Sequence, residues 1–573
     1  MNKISPIEAA PVPHTGRRAE LLMPAGSLDK LKTAVLYGAD AVYLGTPDLS
    51  LRSKSEFTLE EVVEGIEFAH RYGKRVYLTL NLFSHNKDID KLPDYVETVR
   101  KVKPDGLIVA DPGVFMFVKQ QAPELELHVS TQANVCSWQS VQFWQNQGAS
   151  LCVLGREVSF EELTEIREKC PDIKLEAFVH GAMCMTYSGR CLLSNFMAER
   201  GANQGACANS CRWKYKVHMQ LKDGTTKELK LTEENLELFD FLLEEEMRPG
   251  DFMPIEEDDR GSYILNSKDL CIMPKLDDYL RIGVDSLKVE GRGKSVYYVA
   301  LIARAYRMAI DDWYKDPDNW KADDYMAELL TVPSRGYTYA FHEGRLTNHS
   351  HGYENTGTLA DWEYAGMVMS VEEDAFLIEA KNRLAAGDVL EFVPPLTASS
   401  GGRETILLRI YEFERVKSGK VVDVINPGHE TLFRVPFSAF DREDLATLQE
   451  RLPVNTIIRK ERSLTQEQWD RLKLDTETRL IESGKGSDEA YAERRDNLQQ
   501  SQAEADNSRR PRTPRLGIEG CCGKGCNGCL VFWHDPAYTK ARTLLAKKKQ
   551  GEMFDRDMRE DLLPQDAHVE EVI

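Results

Sequence analysis

One pattern recurs eight times in the first 310 residues: a short apolar run rich in β-branched residues, then a stretch with helical periodicity. The runs are ELLMPAG (20–26), DAVYLG (40–45), RVYLTLN (75–81), GLIVADP (106–112), LHVSTQAN (127–134), LCVLGRE (151–157), KLEAFVHG (174–181) and SLKVEGR (286–292). Nearly continuous apolar runs indicate strands buried on both faces, as in a parallel sheet covered by helices. The stretches between them carry helix-start chemistry. In TLEEVVEGIEFAHRYG (58–73), Thr58 and Glu61 are spaced as a capping box, and Val62, Ile66 and Ala69 share one face. Ser159 and Glu162 repeat the device. Eight near-equal strand–helix units favour an α/β fold closed as a TIM-like (β/α)8 barrel over an open, doubly wound sheet.

Such a barrel keeps its chemistry at the C-terminal ends of its strands. There the sequence places Asn81, Asp111, Ser130, Gln132, Asn134, Arg156, Glu157, His180, Lys288, Glu290 and Arg292. One polar residue at a strand end is more often a cap than a catalyst; polar residues at most of the strand ends are harder to dismiss. The barrel is expected over 19–325, after a disordered tail at 1–18. An insertion at 181–262 interrupts it, and YILNSKDL (263–270) returns the chain to a helix near 269–281. Residues 330–460 alternate apolar and polar between turn residues and read as a small antiparallel β-barrel domain. Residues 461–512 read as a helix and a flexible linker. A Cys-rich, basic C-terminal module occupies 513–573.

Twelve cysteines in 573 residues are too sparse for a disulfide scaffold, yet eight fall in two tight groups. Cys184, Cys191, Cys207 and Cys211 follow His180 with the spacing C-x6-C-x15-C-x3-C. Structural zinc favours pairs two to four apart, and only Cys207 and Cys211 meet that. An iron–sulfur cluster tolerates wider spacing, and GANQGACANS suits a loop around a cofactor. Inert buried thiols are the plainer alternative. Cys521, Cys522, Cys526 and Cys529, with His534 near, form a glycine-rich group suited to zinc or a second cluster. Phe532, Trp533, Tyr538 and KARTLLAKKK (540–549) suit RNA phosphates and unstacked bases, and equally a small packed cap with a solvated helix. Residues 505–550 hold ten Lys/Arg against three Asp/Glu in a chain of net charge −20. The first residues lack a secretory signal's apolar run, and no stretch approaches the ~20 apolar residues of a membrane helix. A cytoplasmic protein with no membrane or DNA partner is expected.

The stretch EAFVHGAMCMTYSGRCLLS (176–194) resembles the signature of the collagenase-like peptidases of unknown catalytic type, family 32. It matches at Glu176, Phe178, Gly181, Cys184, Gly189, Cys191 and Ser194. ELLMPAGSLDKLKTAVLYGADAVYLG, VSTQANVCSWQSVQFWQNQGA, NQGACANSCRWKY, YILNSKDL, SLKVEGRGKSVYYVA and SRGYTYAF are similar to a tRNA-modifying bacterial branch of that family. The likeness covers roughly residues 19–440. It implies a barrel followed by a small β domain. It also implies a [4Fe-4S] cluster on Cys184, Cys191 and Cys207, with Cys211 as fourth ligand and Cys271 in reserve. The implied reaction is C5 hydroxylation of the wobble uridine of tRNA, dependent on prephenate. Prephenate is a dicarboxylate, and guanidinium groups bind carboxylates bidentately. Arg156 and Arg292 become candidates at the reacting centre, with His180 and Glu290 for proton transfer. Arg52, Asn81, Gln132, Arg190 and Lys288 are candidates for binding substrate. The alternative is a peptidase using Cys184 or Cys191 with His180. It would leave the other cysteines unexplained, and neither H-E-x-x-H nor G-x-S-x-G is present. A metal-stabilised RNA-binding module without catalysis is a third class, and the Arg, Glu and His at strand ends argue against it.

Overall fold

A computed structural model of the chain describes residues 16–45, 57–81, 84–183, 187, 267–344, 362–399, 401–427, 431–440 and 445–462, with six three-residue strands between 218 and 263. Every expected barrel strand is present: β1 (Glu20–Pro24), β2 (Ala41–Leu44), β3 (Arg75–Leu80), β4 (Gly106–Val109), β5 (Leu127–Val129), β6 (Leu151–Val153) and β7 (Lys174–Ala182). After β8 (Asp269–Cys271), β9 (Ser286–Val289) closes the barrel, pairing in parallel with both β7 and β1. All the neighbouring pairs around the ring are parallel.

Local chemistry starts the helices where the chain needs them. Thr58 Oγ1 accepts from the Glu61 amide at 3.2 Å while Glu61 Oε2 accepts from the Thr58 amide at 2.7 Å. This capping box opens α2 (Leu59–Arg71), after α1 (Leu28–Leu36), and the face it buries carries Val62, Ile66 and Ala69. Asp111 caps the helix Pro112–Gln121, accepting from Gly113 and Val114 amides. It is thus engaged as a cap. Ser159 and Glu162 form the second expected box, at Phe160–Lys169.

Residues 269–271, expected at the start of a helix, instead form β8, antiparallel to the end of β7 with Cys271 opposite His180. Pro274 sits in the 3-10 turn that follows, and the helix begins only at Leu276. A proline has no N–H to give and restricts its predecessor, so regular helix starts after it. The strand residues 269–271 are buried, and pairing with the end of β7 satisfies their backbone.

A long helix, Val296–Lys315, capped by Ser295, covers the closure. A second antiparallel sheet forms a half-barrel in the order Ile406–Arg409, Val389–Val393, Ile457–Glu461, Trp362–Val371, Ala375–Ala380, Leu432–Pro436, Phe413–Arg415, Val421–Val422. It has its own core around Phe376, Phe392, Phe413 and Phe433. Three of its residues, Met367, Val393 and Ile457, pack instead into the barrel's cluster. At that junction the Tyr37 hydroxyl accepts from the Ile457 amide at 2.9 Å and donates to the Val393 carbonyl at 2.7 Å. Arg459 bonds Glu391 at 2.8 Å and Thr331 at 2.9 Å, joining the two cores through buried polar groups. Among the described residues no helix is long and apolar enough to cross a membrane.

Candidate active site

Side chains alternate in and out along a strand, so each barrel strand points every second residue inward. Leu22, Ala41, Tyr43, Tyr77 and Ile108 form the apolar part of the interior. The rest is polar. Glu20, Glu176, Ser286 and Lys288 are buried there, and Glu176 has no exposed surface at all. Lys288 Nζ lies 2.7 Å from Glu176 Oε1 and 4.4 Å above the ring centre of Tyr43. Ser286 Oγ donates to Glu176 Oε2 at 2.9 Å and lies 3.3 Å from Glu20 Oε1. Tyr77 donates to Glu20 Oε2 at 3.1 Å, and Arg75 pairs with the same oxygen. Burial pushes the Glu20 carboxyl up to about 7, against the opposing pull of Arg75.

Above this floor is the mouth. Arg156, from the loop after β6, pairs with Glu290, from the end of β9, at 2.9 Å. Its guanidinium stacks 4.0 Å above the centre of the Phe178 ring. Arg156 Nε is buried with no hydrogen-bond partner among the described residues. Arg292 has no carboxylate partner among the described residues, and burial pulls its guanidinium below the ordinary range. On the opposite side Asn81 Nδ2 donates to Ser130 Oγ at 3.3 Å, and the Gln132 amide donates to the same oxygen at 3.2 Å. Gln132 Oε1 and Thr79 Oγ1 are buried acceptors without a partner among the described residues. Buried polar groups of this kind are normally satisfied by water or a ligand. A half-buried cation without a carboxylate among the described residues and the unmet Arg156 Nε–H suit a small anion, while the unmet Gln132 Oε1 suits an N–H or O–H donor.

His180 lies elsewhere. A register shift in the β7–β9 pairing falls between Phe178 and His180, and the His180 ring packs among Tyr298, Tyr306 and Tyr337. It is 1 % exposed, and burial, aided by the Lys294 charge, pushes it down to about 3. A neutral imidazole so enclosed is a poor base for a thiol. Gly181 follows with φ +117°, and a Cβ there would stand 2.9 Å from Glu290 Cβ and closer still to its carbonyl oxygen. Only glycine allows β7 to pass so near the Glu290 backbone.

The structure therefore brings Arg156, Glu290, Arg292 and Lys288 together around Tyr43, whose hydroxyl feels the charges of Glu290, Arg292 and Arg156 and whose ring lies under the Lys288 ammonium. Arg52, Arg190, Cys184, Cys191, Cys207, Cys211, Cys521, Cys522, Cys526 and Cys529 lie outside the described residues. Cys271, the reserve ligand, is buried 3.9 Å from the Tyr306 hydroxyl, and burial pushes its thiol up to about 12. Among the described residues no three His, Cys, Asp or Glu side chains gather as a metal site. The sequence reading passed over Glu20, Tyr43, Tyr77, Glu176, Phe178 and Ser286 as site residues. Their signal was present: Glu20, Glu176 and Lys288 are charges within otherwise apolar strand runs.

Comparison with known proteins adds a lineage. A family model described as peptidase family U32 matches residues 26–352. A tRNA hydroxylation protein P of Escherichia coli K12 is 40% identical over 399 residues, covering 66% of this chain and 86% of that one. A protein of the same name from Haemophilus influenzae is 37% identical over 449 residues, covering 73% of this chain and 94% of the relative. A 23S rRNA 5-hydroxycytidine C2501 synthase of Escherichia coli K12 is 30% identical over 384 residues, 66% of this chain and 52% of that protein.

Proposed function

The chain belongs to peptidase family U32, and from that membership we propose that it hydroxylates tRNA at C5 of the wobble uridine. The observation that carries the reading is the named activity of relatives that align across most of their own length with two thirds or more of this chain. The relative named for 5-hydroxycytidine in ribosomal RNA supports C5 of a pyrimidine as the position attacked. In this reading prephenate is the small anion, and Arg292 with Arg156 receives its carboxylates. Glu290 holds Arg156 at its fixed distance from Phe178, and Gln132 and Asn81 orient the substrate from the opposite rim.

An iron–sulfur cluster belongs to the same proposal, with Cys184, Cys191, Cys207 and Cys211 as its ligands. When bound it would supply electron-transfer or Lewis-acid chemistry. The roles given to Arg156, Glu290 and Arg292 stand without it. The group at Cys521 to Cys529 would hold zinc or a second cluster.

The test is nucleoside mass spectrometry of tRNA from cells lacking the endogenous hydroxylation, with and without this chain. The 5-hydroxyuridine family of nucleosides should return with it and depend on prephenate. Iron and sulfide counted after anaerobic purification should give about four of each per chain for one cluster and about eight for two. Cells that make the folded protein yet show no hydroxylated tRNA would sink the reading. Digestion of gelatin by the same preparation would favour the peptidase instead.

A further inference from the structure

The mouth residues account for binding. They leave unused a buried hydrogen-bonded chain inside the barrel. It begins at Arg75, whose side chain is 43% exposed at the start of β3, at the N-terminal rim. From there it runs through Glu20, the Ser286 hydroxyl and the Glu176 carboxylate to Lys288 Nζ, over the Tyr43 ring. Its separations after Arg75 are 3.3, 2.9 and 2.7 Å, and the residues from Glu20 onward are buried. A barrel interior is ordinarily filled by branched apolar side chains. Four linked polar residues on three adjacent strands therefore have a cost that packing alone does not repay.

We propose that this chain is a proton path that recharges Lys288 from the N-terminal rim while Lys288 acts as the acid in the floor beneath the mouth. The proposal rests on the hydroxylase reading for the reaction it serves. As its OH passes to C5 the hydroxyl donor is reduced and left as an anion holding the broken bond's electron pair; Lys288 gives that anion one ammonium proton and becomes a neutral amine, while the proton displaced from C5 leaves to solvent. Protonated Glu20 then donates to Ser286 Oγ, and Ser286 passes its own hydroxyl proton to Glu176. Glu176 hands a proton to the Lys288 amine. Glu20, now a carboxylate beside Arg75, takes up a proton from solvent at the rim, and the cycle closes with one proton moved. Glu20 suits this task because burial brings its carboxyl to about 7, where it both gives and accepts near neutrality. The groups facing it are Arg75 and Tyr77 from β3, Glu176 from β7, Ser286 from β9 and Asp40 before β2.

The test compares Glu20→Gln, Glu20→Asp and Ser286→Ala with the unaltered enzyme in single-turnover tRNA hydroxylation across pH. Affinity for tRNA and melting temperature are measured alongside. The unaltered rate should fall as pH rises through about 7, as Glu20 loses its proton. Glu20→Gln and Ser286→Ala should slow the step at least about tenfold and flatten that fall, with tRNA affinity unchanged. Glu20→Asp should restore part of both. A Glu20→Gln enzyme with the unaltered rate and pH profile overturns the path. Difference infrared spectroscopy gives a readout free of turnover: a protonated carboxyl that titrates near neutrality and vanishes in Glu20→Gln. Its absence from the unaltered protein also overturns the path. Its presence in a protein that hydroxylates no tRNA overturns the hydroxylase reading and leaves the titrating Glu20 standing.

Discussion

Arg292 and His180 show how differently two family-motif neighbours are held. Arg292 is a desolvated cation with no carboxylate to offset it among the described residues. Replacing such a charge with an apolar side chain is commonly neutral or stabilising. Arg292→Met is therefore expected to melt no lower than the unaltered protein while losing the saturable dependence on prephenate that the proposed function assigns to it, read by thermal unfolding and by rate against prephenate concentration. His180 shows the opposite economy: its ring is satisfied by tyrosines and kept neutral. Its folded value of about 3 lies below the ordinary 6.5, so the unfolded chain binds the extra proton first. Stability contributed by His180 is complete above about 6.5 and is lost as pH falls towards 3. Between pH 6.5 and 5 that loss is about 2 kcal/mol. In urea titrations His180→Phe should lose less stability over that interval than the unaltered protein, and an identical loss in both would disprove the assignment.

At the scale of elements, the sequence carried the barrel almost whole. Each β run was legible because burial on both faces leaves a continuous apolar signature, as in GLIV at 106–109. The capping boxes at Thr58 and Ser159 were legible because their chemistry is local. Thr58→Ala and Ser159→Ala should each cost about 1 kcal/mol, seen as a lower urea midpoint with unchanged slope. What was hidden depends on distant partners. β8 is only three residues long and gains its identity from the end of β7. The Arg156–Glu290 pair joins positions 134 apart, and no spacing rule anticipates it. His180 stands at a strand end in sequence, yet an irregular register after Phe178 takes its ring away from the mouth.

For the whole molecule, the junction at Tyr37 decides whether the two cores behave as one. Its hydroxyl is the partner of a buried amide on one strand of the second sheet and donates to a carbonyl on another. Tyr37→Phe strands the Ile457 amide, at a cost of about 1–3 kcal/mol. Hydrogen exchange should rise first in Ile457–Glu461 and Val389–Val393 while β1 to β5 stay protected; uniform protection throughout would show that the junction is dispensable. The way the ring closes also has a consequence for how the protein is made. β7 is complete at Ala182, but the strand that joins it to β1 begins only at Ser286. At ribosomal rates of about 5–20 residues per second, two open sheet edges wait on the order of 5–20 s for their partner. Each waiting edge carries an inward carboxylate, Glu20 on β1 and Glu176 on β7, whose partners Ser286 and Lys288 both arrive with the last strand. Inward charges are a known defence against pairing with the wrong chain. The same carboxylates thus make the nascent protein's unfinished edges unattractive to anything except the segment that completes them.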